Sequence, residues 1–132
     1  MADAVTSQTL VDTATWAVMK FTNTSDGTGE SAVLKVDVSA LSPAASRVSI
    51  AKVYYSVSGM VARLLWDATT DVTALDLQGD GCMDFDSGPC RELRGLTNNA
   101  GSGITGDVLL TTVGHTANDS YSIILVMRKT LA

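Results

Sequence analysis

The sequence predicts an all-β domain, a sandwich or a barrel of short strands, from three observations. About seven or eight apolar runs rich in Val, Ile, Leu and Thr follow one another at short intervals. Clusters of Gly, Asp, Asn and Ser separate these runs and are typical of turns. No long segment repeats apolar residues at the spacing of an amphipathic helix. A length of 132 residues then predicts one domain with one core.

The chain begins with a polar stretch and continues in strand-like alternation. Residues 1–9 carry little strand signal, so we predict an N-terminal arm that lies along a neighbouring subunit. The β-sandwich domain is predicted to follow over residues 10–132. Within residues 10–23 the apolar pattern has a period of two. It places Ala17 and Met19 on the side of the strand opposite Trp16, Val18 and Lys20.

The next two runs predict strands with defined faces. In residues 31–41, Val36 lies on the apolar side and Lys35 on the polar side. In residues 47–57 the alternation slips near Lys52, which indicates an irregular register. A helical turn before this run is limited by a proline. The remaining apolar runs are residues 60–68, 71–77, 106–115 and 121–129, and the predicted turns include residues 58–59, 78–81 and 97–106.

Charge and hydropathy restrict the partners. Nine Lys and Arg against 14 Asp and Glu give a net charge of −5, which does not provide the basic footprint that nucleic acid requires. No apolar run approaches the ~20 residues that span a bilayer, so no membrane partner is predicted. Because 45% of the residues are hydrophobic and only 17% are charged, we predict self-association through a strand edge or an apolar face.

Residues 97–106 include the spacing G-x-G-x-x-G, which binds a dinucleotide when a strand precedes it and a helix follows it. Here polar residues precede the glycines and a strand-like run follows them. We therefore predict an extended loop without a ligand, in which Gly103 and Gly106 serve the backbone geometry through positive φ angles or close approach to another backbone. No cofactor is predicted.

A second candidate site is the acidic stretch that carries Asp76, Asp80, Asp84 and Asp86. Carboxylates in a loop can bind calcium, but Ser87 stands where the EF-hand pattern requires Glu, so a solvated acidic turn is favoured. The two cysteines, Cys82 and Cys90, are too few for a zinc site. Free thiols are favoured for a chain made in a cytosol, and a disulfide between them stays an alternative.

No catalytic set is complete in this sequence, so we predict that the chain is not an enzyme. His115 stands at the end of a strand-like run, without the strained elbow motif of a hydrolytic serine. A turn histidine is the favoured interpretation. Large aromatic residues can stack a sugar or a base, but more often they pack in a core or an interface. The candidate partner contacts are Trp16, Tyr55, Trp66, Asn98, Asn99 and Arg128.

Four phrases of the sequence resemble a known family. They are "ESAVLKVDVSAL", "VARLLWDATTDVTAL", "LTNNAGSGITGDVLLTTVGH" and "YSIILVMRK". They are similar to small virion structural proteins of tailed bacteriophages, of the capsid decoration or cement type. The resemblance extends from about Gly27 to Lys129, although the stretch "GCMDFDSGPC" is not part of the family's pattern.

The resemblance implies a β-rich, jelly-roll-like fold that assembles as a dimer or a trimer over junctions of the major capsid protein. With the residue pattern, it predicts a single-domain antiparallel β-sandwich of jelly-roll type. The expected function is decoration and stabilisation of the capsid surface by a protein made in the host cytoplasm. A tail or head–tail joining protein is the first alternative. A small glycan-binding β-sandwich for host attachment is the second.

Overall fold

The fold is a curled antiparallel sheet with the form of a half-barrel. The computed structural model describes residues 4–24, 30–85, 96, 101–114, 116 and 118–131, and none of these is in an α-helix. The strands are β1 (Ala4–Asp12), β2 (Trp16–Thr24), β3 (Val33–Val36), β4 (Ala45–Trp66), β5 (Val72–Asp84), β6 (Val108–Val113) and β7 (Ser120–Leu131), and a 3-10 turn (Val38–Ala40) lies between β3 and β4.

The 22-residue strand β4 organises the sheet. The strand order is β1-β2-β7-β4-β6-β3, with β5 on the other edge of β4. The first part of β4 pairs with β7 and the last part with β6, while β5 follows β4 from Lys52 to Trp66. Because one long strand changes partner along its length, the sheet curls instead of lying flat.

Two predicted turns lie inside strands, so these predictions are wrong. Residues 58–59 belong to β4 and residues 78–81 belong to β5. Gly59 and Gly79 have φ angles of +81° and +76°, and the register between β4 and β5 shifts between Val57 and Ala62. The left-handed backbone at these glycines therefore accommodates a bulge between β4 and β5 instead of a chain reversal, because the two strands pair both before and after the bulge.

The core lies on the inner face of the curled sheet and follows the period of two. In β2, Ala17, Met19 and Phe21 are buried, and in β7 the alternate residues from Tyr121 to Met127 are buried. Full burial of a large apolar side chain contributes about 1.5–3 kcal/mol. The largest fully buried side chains are Phe21, Val36, Val48, Ile50, Leu64, Trp66, Leu77, Leu110, Tyr121, Ile123, Leu125 and Met127.

The predicted all-β antiparallel fold is confirmed, whereas a two-layer sandwich or jelly roll is not, because the described strands are bonded into one sheet. The register slip near Lys52 is also confirmed, since a bulge at Ala51 separates the pairs of Ile50 and Lys52 with β7. The predicted boundary between residues 9 and 10 does not coincide with the end of an element. Strand β1 runs across it from Ala4 to Asp12, paired with β2. Backbone hydrogen bonding to β2 holds this polar segment in the sheet, although the side chains from Thr6 to Val11 are exposed.

Lys35 corrects a second expectation. It was predicted on the polar face of a strand, but its side chain is only 2% exposed and its Nζ lies 2.5 Å from Glu30 Oε2. The other carboxylate oxygen of Glu30 accepts hydrogen bonds from the Tyr121 hydroxyl and from Asn23 Nδ2, the latter at 3.0 Å. The backbone N–H of Glu30 donates to the Thr112 hydroxyl at 2.9 Å, and the backbone N–H of Thr112 donates to the Glu30 carbonyl at 3.0 Å. An ammonium can be buried here because a carboxylate and hydrogen-bonding partners surround it.

A second buried ammonium fixes the turn between β1 and β2. Lys129 Nζ lies 2.6 Å from Asp12 Oδ1 and donates to the carbonyl of Thr13 at 2.7 Å. Asp12 Oδ2 accepts from the backbone N–H of Ser42 at 2.7 Å. This ion pair therefore connects the first turn to the last strand and to the segment before β4.

The hydrogen bond from Lys129 lowers the pKa of Asp12 below its ordinary value of 3.8, although burial opposes the shift. A depressed folded-state pKa stabilises the fold above the unfolded-state value and ceases to do so as pH falls through the folded value. We expect Asp12→Asn to lower the free energy of unfolding near neutral pH by about 2 kcal/mol. In urea titrations this difference should shrink once the pH falls below 3.8. A difference that stays constant with pH would contradict the assignment.

Candidate functional site

The outer face of the sheet carries a continuous band of apolar and cationic side chains from β2, β7 and β4. We call this band the outer patch, and it consists of Trp16, Val18, Lys20, Lys52, Tyr54, Ile124, Val126 and Arg128. Its members face outward because their neighbours in sequence fill the core. All are half-buried except Tyr54, which is 42% exposed.

Strand pairing brings these residues together from distant parts of the chain. Trp16 pairs with Arg128 and Lys20 pairs with Ile124. Ile124 in turn pairs with Tyr54 on β4. Residues that are directly opposite on one face of a sheet have Cβ atoms ~5 Å apart, so each such row forms one contiguous surface.

The patch carries three cationic side chains, one of which pairs with a carboxylate on the neighbouring strand. The Arg128 guanidinium lies 5.1 Å from the centroid of the Trp16 ring, within the range of a cation–π contact. Lys52 Nζ lies 3.5 Å from Asp84 Oδ2. Electrostatic interactions with Tyr54 and with the carboxylate of Asp84 raise the pKa of Lys52 above its ordinary value of 10.5. This arrangement can bind a surface that is apolar at its centre and acidic around it.

A shallow groove of about 250 Å³ lies within the outer patch. The groove is lined by Lys20, Tyr54, Tyr55, Ser56, Gly81, Ser122 and Ile124. Ser56 Oγ donates to Asp80 Oδ1 at 2.8 Å, which fixes one wall. An ammonium, an exposed aromatic ring and hydroxyl groups are the side chains that a polar ligand with ring faces or carboxylates would contact.

The structure brings together two of the six predicted contact residues, Trp16 and Arg128. Trp66 is 1% exposed in the core, so it is not an outer contact. Tyr55 packs partly buried against the core and also lines the groove beside Tyr54. Trp66 instead confirms the alternative interpretation, a packing anchor, because it faces the inside of β4. Asn98 and Asn99 lie outside the described residues.

Sequence reasoning missed Lys20, Tyr54 and Ile124 as site residues. The period of two in β2 and β7 already placed Lys20 and Ile124 outward, but it could not show that the two strands are neighbours. Adjacent residues of a strand face opposite sides of the sheet, so Tyr54 and Tyr55 differ in face. The bulge at Ala51 determines which of the two lies on the outer face.

The acidic stretch is part of a paired strand and not the turn that was predicted. Asp76 Oδ1 lies 2.8 Å from Arg63 Nε, and this carboxylate raises the pKa of the guanidinium. Asp80 and Asp84 contact Ser56 and Lys52 as described above. The fourth aspartate, Asp86, lies outside the described residues. Each of the three described carboxylates therefore contacts a side chain on β4.

Cys82 is exposed and free, while Cys90 and His115 lie outside the described residues.

The glycine-rich loop has a geometric role where it is described, over residues 101–106. Gly103 and Gly106 have φ angles of +78° and +88°, as predicted. Thr105 Oγ1 donates to Asp67 Oδ2 at 2.8 Å, which holds the loop against the end of β4. Strand β6 follows the loop, so no helix N-terminus stands where a pyrophosphate would need one.

One carboxyl beside this loop is partly desolvated. Asp107 Oδ1 accepts from the backbone N–H of Val38 at 3.0 Å. Burial raises the pKa of Asp107, and the nearby Asp37 and Asp67 raise it further. The hydrogen bond to Val38 holds the 3-10 turn against the start of β6, so we assign Asp107 a structural role.

Two absences are limited to the described part of the chain. Its His, Cys, Asp and Glu side chains form no group of three or more that could hold a metal ion. Its residues also form no helix with the length and hydropathy needed to cross a membrane. Comparison with protein-family models, with curated proteins and with solved structures finds no match to this chain.

Proposed function

We propose that this chain is a structural protein of a tailed-phage virion that binds the outside of the capsid shell and stabilises it. Two observations support the proposal. Four phrases of the sequence resemble decoration proteins, and the outer patch offers a surface suited to a protein partner. The outer patch is the observation on which the proposal mainly rests, because Trp16 and Arg128 are residue types enriched at protein interfaces.

The charges of the patch indicate the chemistry of the partner surface. Lys20 and Arg128 lie on one face of a chain whose net charge is −5, and Lys52 beside them pairs with Asp84. An acidic area of the major capsid protein would match them, with apolar contacts to the centre of the patch. A protein that binds only the assembled shell stabilises it by mass action, and many copies add their contributions over the lattice.

The test is binding to empty shells assembled from the major capsid protein of the same genome. We expect saturable binding and a higher temperature of shell disruption. Trp16→Ala and Lys20→Gln should each weaken binding, by about tenfold for the tryptophan. Both side chains are half-buried on the outer face and lie outside the core, so the free variants should stay folded at the temperature of the binding assay, which their thermal unfolding curves check.

The matched control is Gln78→Glu, which changes the net charge by the same amount as Lys20→Gln but lies on the exposed part of β5. It should bind shells like the wild type. Shell binding that falls equally in both variants would indicate a net-charge effect and not the outer patch. Absence of binding to any shell would overturn the proposal. Counting labelled copies per virion separates decoration from the head–tail alternative, since decoration requires many copies on the head.

The groove favours glycan attachment as a second candidate function. Tyr54 offers an exposed ring for stacking on a sugar, and Lys20, Ser56 and Ser122 offer polar contacts. NMR titration with neutral and acidic oligosaccharides would support this function if the resonances of Tyr54 and Ile124 shift in a saturable way. Shifts that are absent up to millimolar sugar would exclude it.

A further inference from the structure

The curled sheet has three strands with an edge that no other described strand pairs with, and these edges differ in how they are protected. They belong to β1, β3 and β5. Proteins normally protect sheet edges by short strand length, charged side chains, bulges or inward-pointing charges, because an open edge pairs readily with another strand. A comparison of the three edges within one molecule therefore shows which of them is available.

Strand β3 is protected in three ways. It has four residues, its register shifts between Leu34 and Val36, and its residue Lys35 points inward. Strand β5 is protected by other means. It carries three described aspartates, and its pairing with β4 shifts register in two places. Both edges are therefore poor templates for a further strand.

Strand β1 lacks this protection over most of its length. From Ala4 to Val11 it contains no charged residue and no proline, and its one register shift comes after Thr9. The side chains from Thr6 to Val11 are exposed, among them Leu10 and Val11 at 51% and 43%. The first charged residue of the strand, Asp12, is bonded to Lys129. The regular part of β1 thus presents a row of backbone donors and acceptors that no described strand pairs with.

We propose that the outer edge of β1 pairs antiparallel with β1 of a second copy of this chain. Three features favour a second copy. The edge is uncharged, so two acidic chains can approach there without placing carboxylates opposite each other. An antiparallel strand pair is compatible with a two-fold axis, so the contact closes as a dimer. A two-fold axis at Ser7 would pair residues 5–9 of both copies within the regular segment and keep outward side chains on a common face.

This dimer does not rest on the proposed capsid function. It would extend the sheet across the axis and would place two outer patches on one surface. Dimerisation is measured on the free protein, whereas decoration is measured on shells, so each can fail without the other.

Sedimentation of the full chain tests the proposal. We expect a reversible dimer at micromolar to several-hundred-micromolar concentration. Ser7→Lys should weaken the dimer by about tenfold, because two like charges would face each other at the axis. The same change makes the chain less acidic, so a dimer limited only by net charge would instead become tighter. The control Gln78→Lys adds the same charge on β5 and should not weaken the dimer.

Disulfide trapping tests the pairing without relying on the stability of the Ser7→Lys variant. In a background of Cys82→Ser and Cys90→Ser, Ser7→Cys should form a covalent dimer on mild oxidation, since directly opposite residues lie within disulfide distance. Gln8→Cys points to the other face and should react more slowly. A wild type that stays monomeric at all concentrations would overturn the proposal. A dimer that is indifferent to Ser7→Lys, or equal trapping at both positions, would also overturn it.

Discussion

Glu30→Gln is expected to lower the free energy of unfolding by about 3–5 kcal/mol, because it leaves a buried ammonium without its counter-charge. Lys35 is 2% exposed and its Nζ lies 2.5 Å from Glu30 Oε2. The other carboxylate oxygen receives bonds from Tyr121 and Asn23, so a glutamine would keep its carbonyl oxygen there. Its NH₂ group would then face the ammonium, donor against donor. Urea unfolding at neutral pH measures the loss.

A double variant separates the charge effect from simple disruption of packing. Adding Lys35→Met to Glu30→Gln removes the unpaired charge and keeps a long apolar side chain in place. The double variant should regain most of the lost stability, since replacing a whole buried ion pair by apolar groups is often close to neutral. A single variant within about 1 kcal/mol of the wild type would show that the pair contributes little. A double variant no better than the single one would assign the loss to packing.

Gly106→Ala is expected to destabilise the fold by about 3 kcal/mol or more, through backbone strain and a steric clash together. The φ angle of Gly106 is +88°, and a Cβ atom there would lie 2.0 Å from the carbonyl oxygen of Ser46. The obstacle is backbone near the start of β4, which pairing with β7 holds in place. Either the loop or the strand must therefore move. Thermal and urea unfolding of the purified variant measure the effect.

Two other glycines serve as graded controls. Gly79 has a φ of +76° but open space around its Cβ position, so Gly79→Ala should show strain alone, about 1 kcal/mol. Gly101 has open space and no left-handed φ, so Gly101→Ala should change stability by less than about 0.5 kcal/mol. Equal effects at Gly79 and Gly106 would mean that the close approach to Ser46 is not a determinant of stability.

The candidate site was only half predictable from the sequence. Alternation in β2 and β7 determined which side chains face outward, so Trp16 and Arg128 could be chosen as contacts. The same reasoning chose Trp66, because aromatic type alone does not distinguish a core anchor from a surface contact. Tyr54 was missed because a single bulge at Ala51 decides which of two adjacent tyrosines faces outward. The position of a bulge relative to neighbouring strands is a property of the ladder and not of one strand.

The sequence by itself determined the fold class, the inner and outer faces of β2 and β7, the irregularity near Lys52 and the positive φ angles of Gly103 and Gly106. Each of these depends on local sterics or on the period of a single strand. Only the tertiary structure decided that β4 continues through Gly59, that Lys35 is buried and that β1 is an edge strand. These features depend on partners far away in sequence, such as Tyr121 and Thr112, which hold Glu30 beside Lys35. Which partner a strand or a charge finds is selected by burial of the whole core, and local patterns do not contain that information.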